Sequence, residues 1–330
     1  MKRFLLLLLS LPLQSGFLSA SDKAKQDAVA LIQEAEARTD IFALPTFVMK
    51  ADLRLDNQGK PIEGKYLLLW NGPDHWREEI SVPGYRQIQV GGKGVVYTKR
   101  SVDFMPLAVE QIHAALGYGP SSHGPNSFFQ AAPDSREVVK KIKERKINGS
   151  KADCVEIEEP ENWTREVCID QTTHLIVRNN SFHDQDFAPI GDKLFPRFLS
   201  FTDNGKSVVQ VRITEFTTGG PLPETALQPF PAVVPQPGCM NPTWAHLVKR
   251  AEPRYPEEDK QAHNSGDVSI YVRIGTDGAT RGLRVVAGVS PSLNQASLDA
   301  VRGWSYEPAM CSGSAVEVDS VVTVKYRLGP

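Results

Sequence analysis

A proline-rich stretch divides this chain into two parts. Between Gly219 and Pro242 the sequence holds seven prolines, at positions 221, 223, 229, 231, 235, 237 and 242. Such a stretch favours extended polyproline geometry and acts as a semi-rigid spacer. The length of 330 residues is also roughly twice that of a typical single domain. We therefore predict a first domain over residues 22–232, a linker over residues 233–244 and a second domain over residues 245–330.

Alternation of apolar and polar residues predicts that the first domain consists mainly of strands. After a helical pattern over residues 21–38, apolar residues recur at every second position from Phe47 to Leu55, as in a half-buried strand. A short helix is predicted over residues 105–116. Further strands are predicted at residues 66–70, 76–80, 86–90, 95–99, 138–147, 152–159, 163–169, 175–179, 195–201 and 207–215. An antiparallel sheet of this length must curl to bury one face, so we expect a curved sheet, an open half-barrel, with helices.

The second domain has a different order of elements. Residues 268–274 alternate as a strand, Thr276-Asp277-Gly278 forms a hairpin turn, and residues 283–287 return as a second strand. A helix with one apolar stripe follows over residues 293–304, and residues 322–328 alternate as the last strand. This order predicts a small ββαβ domain, which assigns the whole chain to the α+β class.

Short motifs in the second domain carry a family resemblance. They are, in order, Pro253-Arg254-Tyr255-Pro256, Gly266-Asp267-Val268, Gly275-Thr276-Asp277-Gly278 and the run from Leu298 to Ala309. With these motifs, residues 245–330 resemble the C-terminal domain of the TonB energy-transducer family. The resemblance implies a module that accepts an extended peptide of an outer-membrane or periplasmic protein along one sheet edge. It places that edge on the last strand, at Val322, Val324, Tyr326 and Leu328. The alternative is that these residues serve only as core and sheet.

Weaker features of the first domain resemble carriers of the LolA/LolB type. These features are the leading helix, the strand Tyr66–Trp70, Pro73-Asp74 before Trp76-Arg77, and Phe230-Pro231 at the end. The resemblance implies an open β-barrel that holds a lipid or lipoprotein ligand in an apolar cavity. The candidate lining residues are Phe47, Met49, Leu53, Leu67, Leu69 and Trp70. Ordinary core packing is the alternative for each of them.

The first twenty residues have the layout of a secretory signal peptide. Lys2 and Arg3 give a positive start, residues 4–18 are apolar and rich in leucine, and Ser19-Ala20-Ser21 supplies small residues for cleavage. A membrane span needs about 20 apolar residues, which is more than this run provides. We expect residues 1–20 to be removed and, given the TonB resemblance, the mature protein to lie in the periplasm. The alternative is an uncleaved inner-membrane anchor, which would make the protein an energy transducer for outer-membrane transport.

The four cysteines fit structural disulfides. Cys154 and Cys168 lie on consecutive predicted strands at equal distances from position 161, so a turn at Pro160-Glu161-Asn162 would place them opposite each other. An exported protein can form such a bond. The remaining pair, Cys239 and Cys311, would join the linker to the second domain. A metal site is not expected, because no CxxC motif or nearby histidine completes one.

The overall charge and its distribution limit the kinds of binding partner that we expect. Lys and Arg number 37 and Asp and Glu number 39, a formal net charge of −2, so a nucleic-acid partner is not expected. The basic cluster Lys140–Lys146 is interpreted as a solvated edge strand that its lysines protect from pairing. The alternative is a surface that attracts anionic lipid headgroups or an acidic partner.

No group of residues in the sequence predicts catalysis. The seven histidines are scattered, and the chain lacks a GxSxG elbow, a P-loop and a GxGxxG motif. We therefore predict a non-catalytic binding protein without a cofactor or a metal. Its expected partners are another protein and a lipid or lipoprotein.

Overall fold

The structure is a computed structural model of the chain. It describes residues 20–57, 60–116, 131–133, 137–159, 164–203, 206–231, 233, 235–237, 243, 245–311 and 313–328. Except for Ala20, the predicted signal peptide lies outside the described residues, and so does the predicted turn at residues 160–162. No helix among the described residues is both long enough and apolar enough to cross a membrane.

Helices and strands alternate irregularly along the chain. The helices are α1 (Ala20–Thr39), α2 (Leu107–Ala115), α3 (Glu257–Gln261) and α4 (Pro291–Arg302). The strands are β1 (Phe47–Asn57), β2 (Lys60–Trp70), β3 (His75–Val82), β4 (Tyr85–Gly92), β5 (Val95–Arg100), β6 (Val138–Ile147), β7 (Ser150–Glu158), β8 (Thr164–Asp170), β9 (Ile176–Asn179), β10 (Phe182–Ile190), β11 (Lys193–Asp203), β12 (Lys206–Thr218), β13 (Gln236–Pro237), β14 (His246–Lys249), β15 (Gly266–Ile274), β16 (Thr280–Ala287), β17 (Ser305–Glu307), β18 (Ala309–Cys311), β19 (Ser314–Val316) and β20 (Val318–Tyr326).

The first part of the chain forms one large antiparallel sheet. Its strand order is β13-β5-β4-β3-β2-β1-β12-β11-β10-β9-β8-β7-β6. The sheet is curved and is not closed into a barrel, so β13 and β6 are its two ends. This confirms the predicted curved, open antiparallel sheet with helices.

The concave face of the large sheet is apolar because its strands alternate. On β1 the side chains of Phe47, Met49 and Leu53 are buried, whereas those of the intervening residues Lys50 and Asp52 are exposed. Helix α2 covers this face and adds buried apolar residues to the same core, namely Val109, Ile112, Ala115 and Leu116. Helix α2 therefore covers part of the concave face.

Helix α1 packs on another part of the same sheet. Ala28 and Ile32 are buried against apolar residues of β7 and β8, which are Val155, Ile157, Val167 and Ile169. The Arg38 Nη1 near the end of the helix donates to the Thr173 carbonyl oxygen at 2.9 Å. The predicted helix over residues 21–38 is confirmed.

The last part of the chain forms a small sheet of three strands in the order β16-β15-β20, which we call the small sheet. Helix α4 covers one face, and the core between them includes Leu293, Val301, Trp304 and Tyr326. The Ser290 side chain caps α4 by accepting from the Leu293 N–H at 3.1 Å. The small sheet and its helix come in the chain order β15, β16, α4 and β20, which agrees with the predicted ββαβ order, although the short strands β17, β18 and β19 lie between α4 and β20.

Several elements differ from the prediction: α3, β13, β14, β17, β18 and β19 were not predicted, and β10 and β20 are the longest elements concerned. Strand β10 was not predicted, because its burial does not alternate and Asp184, Asp186 and Pro189 interrupt any apolar pattern. Strand β20 begins at Val318 and ends at Tyr326, whereas the predicted strand ran over residues 322–328. The early polar residues Asp319 and Ser320 concealed its start.

Candidate functional site

Strand β20 is an edge strand of the small sheet. Among the described residues it pairs with β15 alone, in a continuous antiparallel register that includes Val322 opposite Ile270. On the other side, the backbone N–H of Val321 donates to the Glu110 carboxylate of α2. In an antiparallel pair, consecutive residues point their N–H and C=O groups alternately to the two sides. The backbone groups of Asp319, Thr323 and Lys325 therefore lie on the same free edge as those of Val321.

The predicted partner-binding residues lie on both the core side and the end of β20. Val324 and Tyr326 are buried beneath α4, at 0% and 2% exposure, and Val322 is partly buried. Leu328 lies beyond the end of the strand. A partner that adds a strand would therefore meet the backbone of the alternate residues, of which Thr323 and Lys325 have exposed side chains.

The second face of the small sheet packs on the large sheet around a buried ion pair. Arg100 Nη1 of β5 lies 2.7 Å from Asp319 Oδ2 of β20, and the Tyr271 hydroxyl donates to Asp319 Oδ1 at 2.6 Å. Burial alone would raise the pKa of the Asp319 carboxyl, but the Arg100 charge and the hydrogen bonds from Tyr271 and Arg100 outweigh it. The pKa of Asp319 therefore lies below its ordinary value, and the ion pair is charged at neutral pH.

Apolar and aromatic contacts extend this interface. Tyr271 is 1% exposed and belongs to the core of the large sheet, against which Val286 and Val321 also pack. The Phe104 ring centroid lies 6.2 Å from that of Tyr271 in an edge-to-face arrangement. Arg284 Nη2 lies 3.0 Å from Asp103 Oδ2 at the rim. The interface thus covers the face of the small sheet that α4 leaves free.

The six candidate cavity residues lie on two faces of the large sheet. Phe47, Met49, Leu53 and Trp70 share the concave core with α2. The register pairs Phe47 with Trp70 and Met49 with Leu68, which puts Leu67 and Leu69 on the opposite, outer face beside Lys50 and Val48. The structure therefore brings four of the six together.

A buried polar network on the concave face was not predicted. The Tyr66 hydroxyl donates to Glu78 Oε1 at 2.9 Å, and His113 Nε2 lies 3.1 Å from Glu78 Oε2. Glu78 and His113 are 1% and 4% exposed. The signal available in the sequence is Glu78 itself, because it stands at the apolar position of an alternating strand, between Trp76 and Ile80. The network ties α2 to β2 and β3.

A shallow groove of ≈ 530 Å³ is lined by residues of strands β1, β2, β3, β11 and β12. Charged and polar side chains form much of its lining, among them Arg54, Glu63, Lys65 and Arg212. Such a lining does not suit a lipid chain.

The structure describes three of the four cysteines and the strand that carries the basic cluster. Cys154 and Cys168 are paired in register and form a disulfide, as predicted. Cys311 is also disulfide-bonded, while Cys239 lies outside the described residues.

Strand β6, which carries the basic cluster, is an edge strand. Several of its cations pair with acids of the neighbouring strands, as Lys141 does with Glu156 at 3.0 Å.

Comparison with known families identifies the small sheet and its helix. Residues 251–328 match the family described as Gram-negative bacterial TonB protein C-terminal. This confirms the predicted TonB resemblance for that part of the chain. Strand β20 is the last strand inside the matched segment. No curated protein matches the chain.

Several solved structures are similar to this chain at low sequence identity. A putative outer membrane lipoprotein-sorting protein domain from Vibrio parahaemolyticus is 12% identical, with 62% of this chain and 97% of that chain covered at a TM-score of 0.37. A LolA superfamily protein from Nitrosomonas europaea is 11% identical, with 60% and 96% covered at a TM-score of 0.37. The MucA/MucB complex from Pseudomonas aeruginosa is 14% identical, with 92% and 100% covered at a TM-score of 0.30.

Proposed function

We propose that this protein is a non-catalytic periplasmic protein that binds an extended segment of an outer-membrane or periplasmic protein along the edge of β20. The observation that carries the proposal is the position of β20, an edge strand inside the segment that matches the TonB C-terminal family. Strand addition supplies main-chain hydrogen bonds, while pockets for alternate side chains give specificity. Thr323 and Lys325 offer the backbone groups and exposed side chains that such a partner needs.

A proline at Thr323 tests the proposal. Its missing N–H lies on the free edge, so Thr323→Pro blocks strand addition without removing a backbone hydrogen bond to β15. Both Thr323→Pro and Thr323→Val lose the side-chain hydrogen bond between Thr323 Oγ1 and Ser269 Oγ of β15 at 3.4 Å, so this loss cancels in their comparison. Thr323→Val keeps the N–H and the β-branched shape, and it serves as the matched control. We expect a photoreactive residue in place of Lys325 to crosslink one discrete protein in native envelopes. Thr323→Pro should reduce that crosslink at least tenfold and Thr323→Val should preserve it; a crosslink unaffected by the proline would contradict the proposal.

A second proposed activity is binding of a lipid or lipoprotein chain by the concave face of the large sheet. Four candidate residues, Phe47, Met49, Leu53 and Trp70, lie there under the single helix α2. A ligand would enter by displacing α2, which buries the same apolar surface. Native mass spectrometry of protein purified from envelopes under mild conditions should find a bound lipid. Protein that carries no lipid and does not take up a fatty-acyl probe would contradict this activity.

Export through a cleavable signal peptide is part of the proposal. The support is the layout of residues 1–20 together with the TonB-type domain. N-terminal sequencing of protein from native envelopes should give a start at Ser21 in the soluble periplasmic fraction. An intact Met1 in the membrane fraction would instead favour the anchored energy transducer.

A further inference from the structure

The edge of β20 is not equally accessible along its length. The Val321 side chain packs against the apolar core that contains Val109 and Ile112 of α2, and the edge N–H of Val321 donates to the Glu110 carboxylate of the same helix. Beside it, the Asp319 side chain is held against the large sheet by Arg100. Further along, Thr323 and Lys325 have exposed side chains. The first half of the edge thus faces the large-sheet unit, and the second half faces solvent.

The element that occupies the edge is firmly attached to the large sheet. Glu110 stands on α2 next to Val109, and both Val109 and Ile112 of this helix are 0% exposed. His113 of the same helix contacts the buried Glu78. Helix α2 therefore cannot leave β20 while keeping these contacts unless the small sheet itself moves away.

We propose that α2 occludes the first half of the β20 edge, so that a partner strand pairs with the whole of β20 only after the small sheet separates from α2. This inference rests on the proposed function, because it concerns access to the same edge. Four residues of β20 point backbone groups to that edge, and occlusion leaves two of them, Thr323 and Lys325, for a partner. A partner of the closed protein would therefore form about half of the ladder hydrogen bonds that the open edge offers.

Amide hydrogen exchange in the full chain tests the occlusion. In the unaltered protein the Val321 amide should exchange slowly and the amides of Thr323 and Lys325 rapidly. Glu110→Ala removes the acceptor and should speed exchange at Val321 at least tenfold. Glu110→Gln keeps an oxygen acceptor and is the matched control. The amides of Val322 and Val324, which bond to β15, report in each variant that the small sheet is intact.

A strand-forming peptide tests the consequence for binding. The probe is a fluorescent peptide with the sequence of β20, residues 318–326, whose β-branched residues favour an extended conformation. Fluorescence anisotropy should show at least tenfold tighter binding to Glu110→Ala than to the unaltered protein. Adding Thr323→Pro to Glu110→Ala should abolish the gain.

The outcomes separate this inference from the proposed function. A Val321 amide that exchanges as fast as that of Thr323 in the unaltered protein would overturn the occlusion and leave the proposed function intact. Equal peptide binding by Glu110→Ala and the unaltered protein, with Val321 released, would also overturn the occlusion. Peptide binding that survives Thr323→Pro would instead overturn the assignment of β20 as the binding edge.

Discussion

Arg100 and Asp319 lie 219 residues apart in the sequence and form a buried ion pair between the large and the small sheet. Their side chains are 10% and 7% exposed, and the joined atoms are 2.7 Å apart. Tyr271 and Arg273 also donate to the Asp319 carboxylate, so its oxygens are well satisfied. Such a pair fixes orientation more than it adds stability, because both charges must be taken out of water.

Breaking this pair on one side should destabilise the protein strongly. We expect Arg100→Ala to lower the free energy of unfolding by about 3 kcal/mol, because it leaves the buried Asp319 carboxylate with only the more exposed Arg273 as a cationic partner. The double variant Arg100→Met with Asp319→Leu should lose less than the sum of the single variants Arg100→Met and Asp319→Leu. Urea denaturation measures these three variants and Arg100→Ala. Lys50→Ala breaks the exposed pair with Glu215 and should change stability little; additive single effects at Arg100 and Asp319 would contradict the coupling.

Glu110 should make stability depend on pH. Burial raises the pKa of its carboxyl from the ordinary 4.5 to about 7, although the hydrogen bond from Val321 lowers it. The native state therefore binds this proton more tightly than the unfolded state. The stabilisation is fully present below about pH 4.5 and is lost as the pH rises through about 7, a loss of about 3 kcal/mol.

The variant Glu110→Gln isolates this effect because its side chain does not ionise. It should be more stable than the unaltered protein at pH 8, and the difference between the two should shrink as the pH falls to 5. Asp184, whose pKa burial also raises to about 7, contributes equally to both proteins and cancels in the comparison. Parallel stability curves for the two proteins over this range would show that Glu110 is not buried as described.

The Cys154–Cys168 disulfide should stabilise the large sheet. It closes a sequence separation of 14 residues, and a loop of this size corresponds to about 3 kcal/mol in the chain-entropy account. We expect the double variant Cys154→Ala with Cys168→Ala to lose a free energy of unfolding of that order. When a reducing agent is added to this variant, any further loss of the free energy of unfolding measures the contribution of the remaining disulfide at Cys311 alone. A double variant as stable as the unaltered protein would contradict the prediction.

Gly278 should not tolerate a side chain. Its φ is +75°, and a Cβ would stand 1.8 Å from the Tyr306 carbonyl oxygen. Gly278→Ala should therefore cost more than the roughly 1–2 kcal/mol of a left-handed backbone alone. Gly94 has a similar φ of +74° with nothing within 4 Å, so Gly94→Ala is the matched control. Equal thermal unfolding midpoints for the two variants would show that the Tyr306 carbonyl can move aside to make room for a Cβ at position 278.

Local patterns in the sequence predicted most of the strands and the faces of the sheets. The alternation from Phe47 to Leu55 and the helical stripe of α4 are local signals, and both elements form as expected. Leu67 and Leu69 illustrate the limit of this reasoning. Their apolar side chains suggested that they line the same cavity as Phe47 and Met49, but the register of β2 against β1 places them on the outer face. A shift of one position reverses the face.

The interface that covers the β20 edge could not be predicted from the sequence. Arg100, Glu110 and Asp319 are separately ordinary charged residues, and only the fold brings them together. Asp319 also concealed the start of β20, because a charged residue interrupts the apolar pattern of a strand. In the fold this charge is paired with the buried Arg100. Long-range pairing of charges leaves no periodic signal in a single sequence.

The most direct test of the account follows the β20 edge in the complex with the protein captured at Lys325. Amide exchange of the full chain should slow at least tenfold at Thr323 and Lys325 when that partner is bound, while the amides of Val322 and Val324 stay protected in both states. This pattern would place the partner's strand on the free edge of β20. Unchanged exchange at Thr323 and Lys325, with new protection elsewhere on the surface, would contradict strand addition at β20.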